Sequence, residues 1–275
     1  GIFNGTRFIP AITIIVASLL GCVLSVLWPP VQNALSMMST FIDSTGVFGA
    51  FIYGLSERLL LPFGLHHFIY LPFFFTSLGG TMTVDGQIDV SKYVMNGKVL
   101  FAMFGLTGAA LAIWRSSLPK NRKKTASLMI AAVIPAAFMG ITEPLEYTFL
   151  FVAPVLFVVH AFLCGLAYVL TYLVQFNVPG PSAFGGPFLS WIFNGIMNAD
   201  KGSNWFWLIP LGVAYFGLYY ALFRAFIKKF DFKTPGREDD AGDDAADSAS
   251  AGASQTNELI PQIVEAVGGK DNIKS

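Results

Sequence analysis

Charge is what this sequence has least of. Aspartate, glutamate, lysine and arginine make up 12% of its 275 residues, about half the ~25% of an ordinary soluble domain, which argues against a cytosolic enzyme. Cysteine is nearly absent as well. Cys22 and Cys164 sit in apolar runs without C-x-x-C or zinc-ligand spacing, so both read as small buried hydrophobes, with neither a disulfide nor a metal site expected. The 17 basic residues balance the 17 acidic ones, so no basic excess points to nucleic acid. A phosphate-cradling G-x-x-x-x-G-K-[ST] loop, a nucleophile elbow and a metal-ligand cluster are all missing. No cofactor is therefore expected, and any energy source must be an ion gradient or a phosphate donor elsewhere. No basic, cleavable leader precedes the first apolar run, and position 1 is glycine, which reads as a cut through a longer protein.

Apolar surface is what the chain has instead: 54% of residues are hydrophobic and 27 are phenylalanine, a composition suited to lipid. The acids are unevenly placed, seven before residue 228 and ten between Asp231 and Asp271. An apolar body is followed by an acidic tail.

A bilayer-crossing helix needs about 20 mostly apolar residues. Ile9 to Trp28 supplies an uncharged run of that length, predicted to stop at Pro29-Pro30. Val31 to Asp43, with Val31, Ala34, Leu35, Met38 and Phe41 on one face, reads as a surface helix or a packed connector. Gly46 to Phe75 is apolar but interrupted by Glu57, Arg58, Pro62, Gly64, His66, His67 and Pro72, as in a broken or re-entrant segment buried in protein. After a loop from Thr76 to Lys98, Val99 to Trp114 and Ala126 to Ile141 are marginal for crossing, and the second reads as a re-entrant hairpin arm. Tyr147 to Ala199 carries no formal charge if His160 is neutral. A long span is predicted from Phe149 to Val174, then an irregular connection through Pro179-Gly180-Pro181 and Gly185-Gly186-Pro187.

Trp205 to Phe226 is the last predicted span, with Trp205 and Trp207 at one end and Arg224, Lys228 and Lys229 at the other. A second basic cluster comprises Arg115, Lys120, Arg122, Lys123 and Lys124; by the positive-inside rule both clusters face the cytoplasm. Beyond them, Glu238 to Asp247 holds six acids in ten residues, too polar to fold and suited to a tether. Leu259, Ile260, Ile263, Val264 and Val267 then recur at helical spacing before Gly268-Gly269, the opening of a soluble domain.

Ionisable residues inside a membrane segment are costly and default to a functional hypothesis. Two clusters qualify: Glu57-Arg58 with His66-His67 in ERLLLPFGLHH, and Glu143 with Glu146 in GITEPLE. Glu57 is as well explained by a structural ion pair, whereas the fork of Arg58 suits a hydroxyl-rich ligand. Neighbouring residues on a helix point about 100° apart, so only one of the two histidines need face a site. Glu143 precedes Pro144, which biases it away from helical backbone, as at a hairpin tip, where a carboxylate can accept two sugar hydroxyls. Glu146 either shares that work or caps the next helix. His160 reads as a satisfied interior histidine.

The motifs ERLLLPFGLHH, GITEPLEYTFLFVAP and DFKTPGRED closely resemble the glucose and maltose family of enzyme IIC, the membrane permease components of the bacterial phosphoenolpyruvate-dependent sugar phosphotransferase system. The resemblance covers residues 1–237 as the C-terminal part of a IIC domain, and ELIPQIVEAVGGKDNI resembles the opening helix of a fused IIB domain. It implies an all-α polytopic membrane protein with broken, re-entrant helices over 1–237, a disordered acidic linker over 238–255 and the start of IIB over 256–275. It further implies a sugar carried inward by an elevator-like movement and phosphorylated on its 6-hydroxyl by a phosphocysteine of IIB. Arg58, His66, His67, Glu143 and Glu146 would bind the sugar, and Glu143 and His66 would assist the chemistry. The implied partners are a glucose-, maltose- or N-acetylglucosamine-type sugar, IIB and IIA, membrane lipid and a second copy in a homodimer. The implied location is the bacterial inner membrane, multi-pass, with a cytoplasmic C-terminus.

FFFTSLGGTMTVDG tilts the resemblance toward maltose-type members, although the loop from Thr76 to Lys98 is shorter than in many relatives. The family's other spans and its phosphocysteine lie outside this sequence, so this polypeptide is not expected to complete phosphotransfer alone. Two other readings remain: a proton-coupled secondary transporter in which Glu143 and the histidines relay protons, and a membrane scaffold whose charges are packing pairs.

Overall fold

The computed structural model describes residues 5–75, 82–84, 87–91, 96–179 and 186–238. The predicted tether and the start of the soluble domain, residues 239–275, lie outside them, as does most of the Pro-Gly connection before Gly186. Within them the chain is helical, with one small antiparallel sheet: β1 (Met82–Val84), β2 (Gln87–Ser91) and β3 (Val178–Pro179), in that order. The sheet occupies part of the predicted loop from Thr76 to Lys98. It is tied to the helices through Asn96, whose side-chain oxygen accepts the Val178 backbone N–H at 3.0 Å.

Helix α1 (Gly5–Ser44) corrects the first boundary. It runs straight through Pro29 and Pro30, so the predicted span and the predicted surface helix are one element. Proline removes an N–H and leaves the carbonyl four residues earlier without its donor, a loss of hydrogen bonds that does not by itself terminate the helical path. Between Ile12 and Ala34 this helix is apolar and exposed along its length, and near its end Ile42 is fully buried.

The predicted broken segment is present: α2 (Val47–Leu59), a single tight turn over Leu61–Phe63, and α3 (His67–Phe75). Helix α4 (Asn96–Leu100) passes through a wide turn at Phe101–Gly105 into α5 (Leu106–Ser116), together a candidate span. The hairpin arm is α6 (Arg122–Met139), which is not among the candidate spans. It is followed by the non-helical Gly140–Thr142 and by α7 (Glu143–Leu150). The predicted span from Phe149 is shortened: the backbone leaves the helix after Leu150, and α8 (Pro154–Leu173) starts on a proline, whose locked φ suits a first turn. A short helix, α9 (Pro187–Ser190), leads to the last span, α10 (Leu208–Lys229).

The core forms where α2 lies along α8 and α10 lies along α5. Close approach depends on small residues, as in membrane bundles. A Cβ on Gly54 would come within 2.3 Å of the Tyr168 ring and 2.9 Å of the Cys164 carbonyl, so only glycine lets α2 and α8 meet there. On α10, Tyr215, Tyr219, Phe223 and Ile227 recur every fourth residue and are all buried, so one face of the helix is committed to van der Waals packing against its neighbours. Cys164 is buried as predicted, but Cys22 is exposed on α1, because that stretch of α1 faces away from the other helices.

The chain after α10 folds back over the α5–α6 turn. The Leu118 N–H and the Asn121 side-chain amide both donate to the Gly236 carbonyl, at 2.9 and 3.3 Å. Arg237 donates to the Ser116 carbonyl at 3.1 Å and also pairs with Asp231. Gly236 has φ +83°, and a Cβ there would stand 2.2 Å from Thr125 Oγ1. The motif DFKTPGR is therefore a clasp, and it places both basic clusters at one end of the molecule.

Candidate functional site: a buried ionic network

The last turn of α2 buries Glu57 and Arg58, and the chain break just beyond it lets α7 approach. Arg58 is 1% exposed. Its guanidinium donates to Glu57 Oε1 at 2.7 Å, to Glu146 Oε1 at 2.9 Å and to Thr142 Oγ1 at 2.9 Å, and it lies 4.9 Å from the Phe101 ring centroid. Glu146 is fully buried. Its Oε1 also meets His160 Nε2 at 3.1 Å, and His160 Nδ1 meets the Tyr219 hydroxyl at 3.0 Å. Because a carboxylate can only accept, the bond to Glu146 is donated by His160 Nε2. Tyr168 completes the set by donating to Glu57 Oε2 at 3.3 Å.

Four helices thus contribute to one polar cluster, α2, α7, α8 and α10, joined by Thr142 from the turn before α7 and by Phe101 following α4. Glu146 lies in the first turn of α7, but its side chain does not cap that helix, as one reading of the sequence had it; it points to Arg58 and His160. The physical reason is charge: a buried carboxylate gains more from a guanidinium and an imidazole than from helix N–H groups.

Glu143 is the first residue of α7, so the bias against helix before Pro144 is overridden by the proline's fit to the first helical turn. Its side chain is half-buried, and its charge acts on His66, Tyr70 and Lys98. His66 is half-buried and also lies in the fields of Glu57 and Arg58. His67 is exposed, with Nδ1 2.6 Å from the Tyr70 hydroxyl. Of the two neighbours, His66 is the one turned toward the acidic groups.

One member of the site, Lys98, escaped the sequence reading. His160 is the satisfied interior histidine the sequence predicted, fully buried with its two ring nitrogens on Glu146 and Tyr219, and its place in the cluster is the new finding. The signal was available: His160, Cys164, Tyr168 and Thr171 form a polar stripe at helical spacing along an otherwise apolar α8. Lys98 was assigned to the end of a loop, yet it lies on α4 within electrostatic reach of Glu57, Arg58, Glu143 and Glu146. Its Cε would be 3.4 Å from a Cβ on Gly140, which puts it beside the hairpin tip.

Among the described residues, six buried side-chain polar atoms have no hydrogen-bond partner, and three belong to this cluster: Arg58 Nε, Glu146 Oε2 and His66 Nδ1. Each such atom costs about 1–3 kcal/mol if left unpaired.

Among the described residues, four candidate spans, at Ile12–Ala34, Asn96–Ser116, Pro154–Leu173 and Trp205–Lys229, together with broken helices around a buried charge cluster, define an all-α polytopic membrane protein of the transporter type. The particular family follows from comparison with known proteins. Residues 1–165 match the family described as "Phosphotransferase system, EIIC", and the chain belongs to that family. It is also 40% identical, over its whole length, to the "PTS system glucoside-specific EIICBA component" of Staphylococcus carnosus (strain TM300). The chain spans 41% of that relative's length.

Proposed function

We propose that this chain is the C-terminal part of a sugar permease. It binds a sugar of the glucose or maltose type and passes it inward, coupled to phosphorylation of the 6-hydroxyl by the phosphocysteine of a IIB domain. The observation that carries the reading is the trio of unpartnered buried atoms. A sugar hydroxyl both donates and accepts, so one ligand class satisfies Arg58 Nε, Glu146 Oε2 and His66 Nδ1. The name of the Staphylococcus carnosus relative supports a glucoside-type substrate and partners of the IIB and IIA kind.

In this scheme Glu143 and His66 orient the 6-hydroxyl, and one of them takes its proton as the oxygen attacks phosphorus. The new O–P bond forms as the S–P bond breaks, and the cysteine leaves as thiolate. That is positioning plus general-base help. Arg58 contacts the sugar through Nε while its other nitrogens keep Glu57 and Glu146 in place. His67 lines the approach. Residues 1–237 form the membrane domain, 238–255 the linker that keeps IIB at high effective concentration, and 256–275 the start of IIB. The protein works as a homodimer in the bacterial inner membrane with its C-terminus in the cytoplasm.

The test uses membrane vesicles containing the full-length gene product, supplied with labelled glucose or maltose, phosphoenolpyruvate and the soluble phosphocarriers. Sugar phosphate inside should depend on phosphoenolpyruvate and vanish in Glu143→Gln. Free sugar accumulating on a proton gradient alone would instead establish a secondary transporter, and unchanged phosphorylation in Glu143→Gln would remove that carboxylate from the site.

A further inference from the structure

Away from the ionic network, α5 and α6 enclose an apolar groove of about 290 Å³. Thr107, Leu111 and Trp114 line it from α5, and Ala126, Met129 and Val133 from α6, in each case at spacings of three and four that define one helix face. Seven residues of helix rise about 10 Å, roughly two-thirds of one ~15 Å leaflet. The groove is therefore shorter than one leaflet is deep.

Its mouth is the turn between the two helices, and that turn is basic. Arg115 follows Leu111 by four residues and so extends the groove face of α5. Arg122 and Lys123 precede Ala126 by four and three, extending the groove face of α6. All three side chains are exposed. Arg115 lies 5.0 Å from the Trp114 ring centroid, and the Trp114 indole N–H donates to the Arg122 carbonyl at 3.1 Å, which holds the two sides of the mouth together. Asn121 makes no side-chain cap on α6, and its first turn contains no acid, so its leading N–H groups add to the positive field. Of the acids in the clasp, Asp231 is already bound to Lys233 and Arg237, and Glu238 follows directly after Arg237.

We propose that the groove is a binding site for an anionic phospholipid, one acyl chain lying between α5 and α6 and the phosphate held by Arg115, Arg122 and Lys123. An apolar slot as deep as part of a leaflet, with cations converging on its rim from both walls, matches that amphiphile in shape and in charge order. Lys124 does not share the groove face, since it stands over Ser127 and Leu128 rather than Ala126. The site therefore distinguishes between neighbouring lysines in a way that general attraction to a charged membrane does not.

Native mass spectrometry of the full-length protein, titrated with dioleoylphosphatidylglycerol, dioleoylphosphatidylcholine or inorganic phosphate alone, tests this. Phosphatidylglycerol should be retained in preference to phosphatidylcholine. Arg115→Gln/Arg122→Gln/Lys123→Gln should weaken it by roughly 100-fold, about fivefold per cation. Lys124→Gln should leave retention unchanged, and Ala126→Phe, which fills the slot without touching a charge, should reduce retention of phosphatidylglycerol. Equal retention of the two lipids would overturn the proposal, as would a loss in Lys124→Gln matching the triple variant. Saturable binding of phosphate alone that displaces the lipid would also overturn it, by making the cations a free-anion site.

Discussion

Replacing Arg58 by methionine is the sharpest probe of the ionic network. Methionine keeps much of the volume and deletes the charge, so Glu57 and Glu146 are left facing each other with no guanidinium between them. Three donor bonds disappear at once, those to Glu57, Glu146 and Thr142 at 2.7, 2.9 and 2.9 Å. Both ion pairs are almost fully shielded from water, with side chains 0 to 3% exposed. Removing one partner of a buried pair costs about 3–5 kcal/mol, a large part of the roughly 5–15 kcal/mol that holds a folded protein together. At about 2–4 °C per kcal/mol for a chain of this size, the unfolding midpoint should fall by roughly 10 °C.

The decisive variant is the double, Arg58→Met/Glu146→Gln. A neutral glutamine removes one stranded charge while its side-chain oxygen still accepts from His160 Nε2. The double variant should therefore be more stable than Arg58→Met alone, a coupling opposite in sign to the additivity expected of independent sites. Thermal unfolding of the purified, detergent-solubilised protein measures both. A fall of less than about 1 kcal/mol in Arg58→Met, or a double variant less stable than the single, would refute the view that this network joins α2 to α7 and α8.

The clasp offers a second test. Gly236→Ala places a methyl against Thr125 at a φ that costs a non-glycine residue about 1–3 kcal/mol, so the Leu118 amide should exchange faster and trypsin should cut sooner after Arg237. The same clasp should be acid-sensitive. Hydrogen bonds from Lys233 and then Arg237 hold the Asp231 carboxyl below its ordinary 3.8; a lowered pKa contributes stability that is complete above that value and lost as pH falls through the lowered one. Protection of the Leu118 amide should therefore be flat at neutral pH and decline only in acid, and the decline should be absent in Asp231→Asn. Thiol labelling tests the packing of α8: Cys164, held against His160 and Tyr219, should react with a maleimide only after unfolding.

Much of this protein was legible before any coordinates. Composition and run length determine that it enters a membrane, because apolar stretches of about 20 residues have few other stable fates. Charges in such stretches marked Glu57, Arg58, His66, Glu143 and Glu146, because burying an ion is too costly to be incidental. Local rules failed where local and tertiary forces compete. Pro29-Pro30 was predicted to end a helix that continues, since two lost hydrogen bonds are a smaller matter than an uninterrupted apolar path. Pro154, by contrast, does mark the start of a helix that the apolar run alone would begin five residues earlier.

Partnerships lay beyond the sequence altogether. Arg58 and Glu146 are 88 residues apart, and no spacing rule relates them; they meet because Gly54 lets α2 press against α8 while Gly140–Thr142 turns α7 inward. The same packing draws His160 and Lys98 into the cluster and leaves His67 outside it. The sequence by itself determined which residue types would be expensive to bury, since that cost is a property of each side chain and its solvent. Only the tertiary structure decided which of them neutralise one another, since that depends on distances set by helices far apart in the chain.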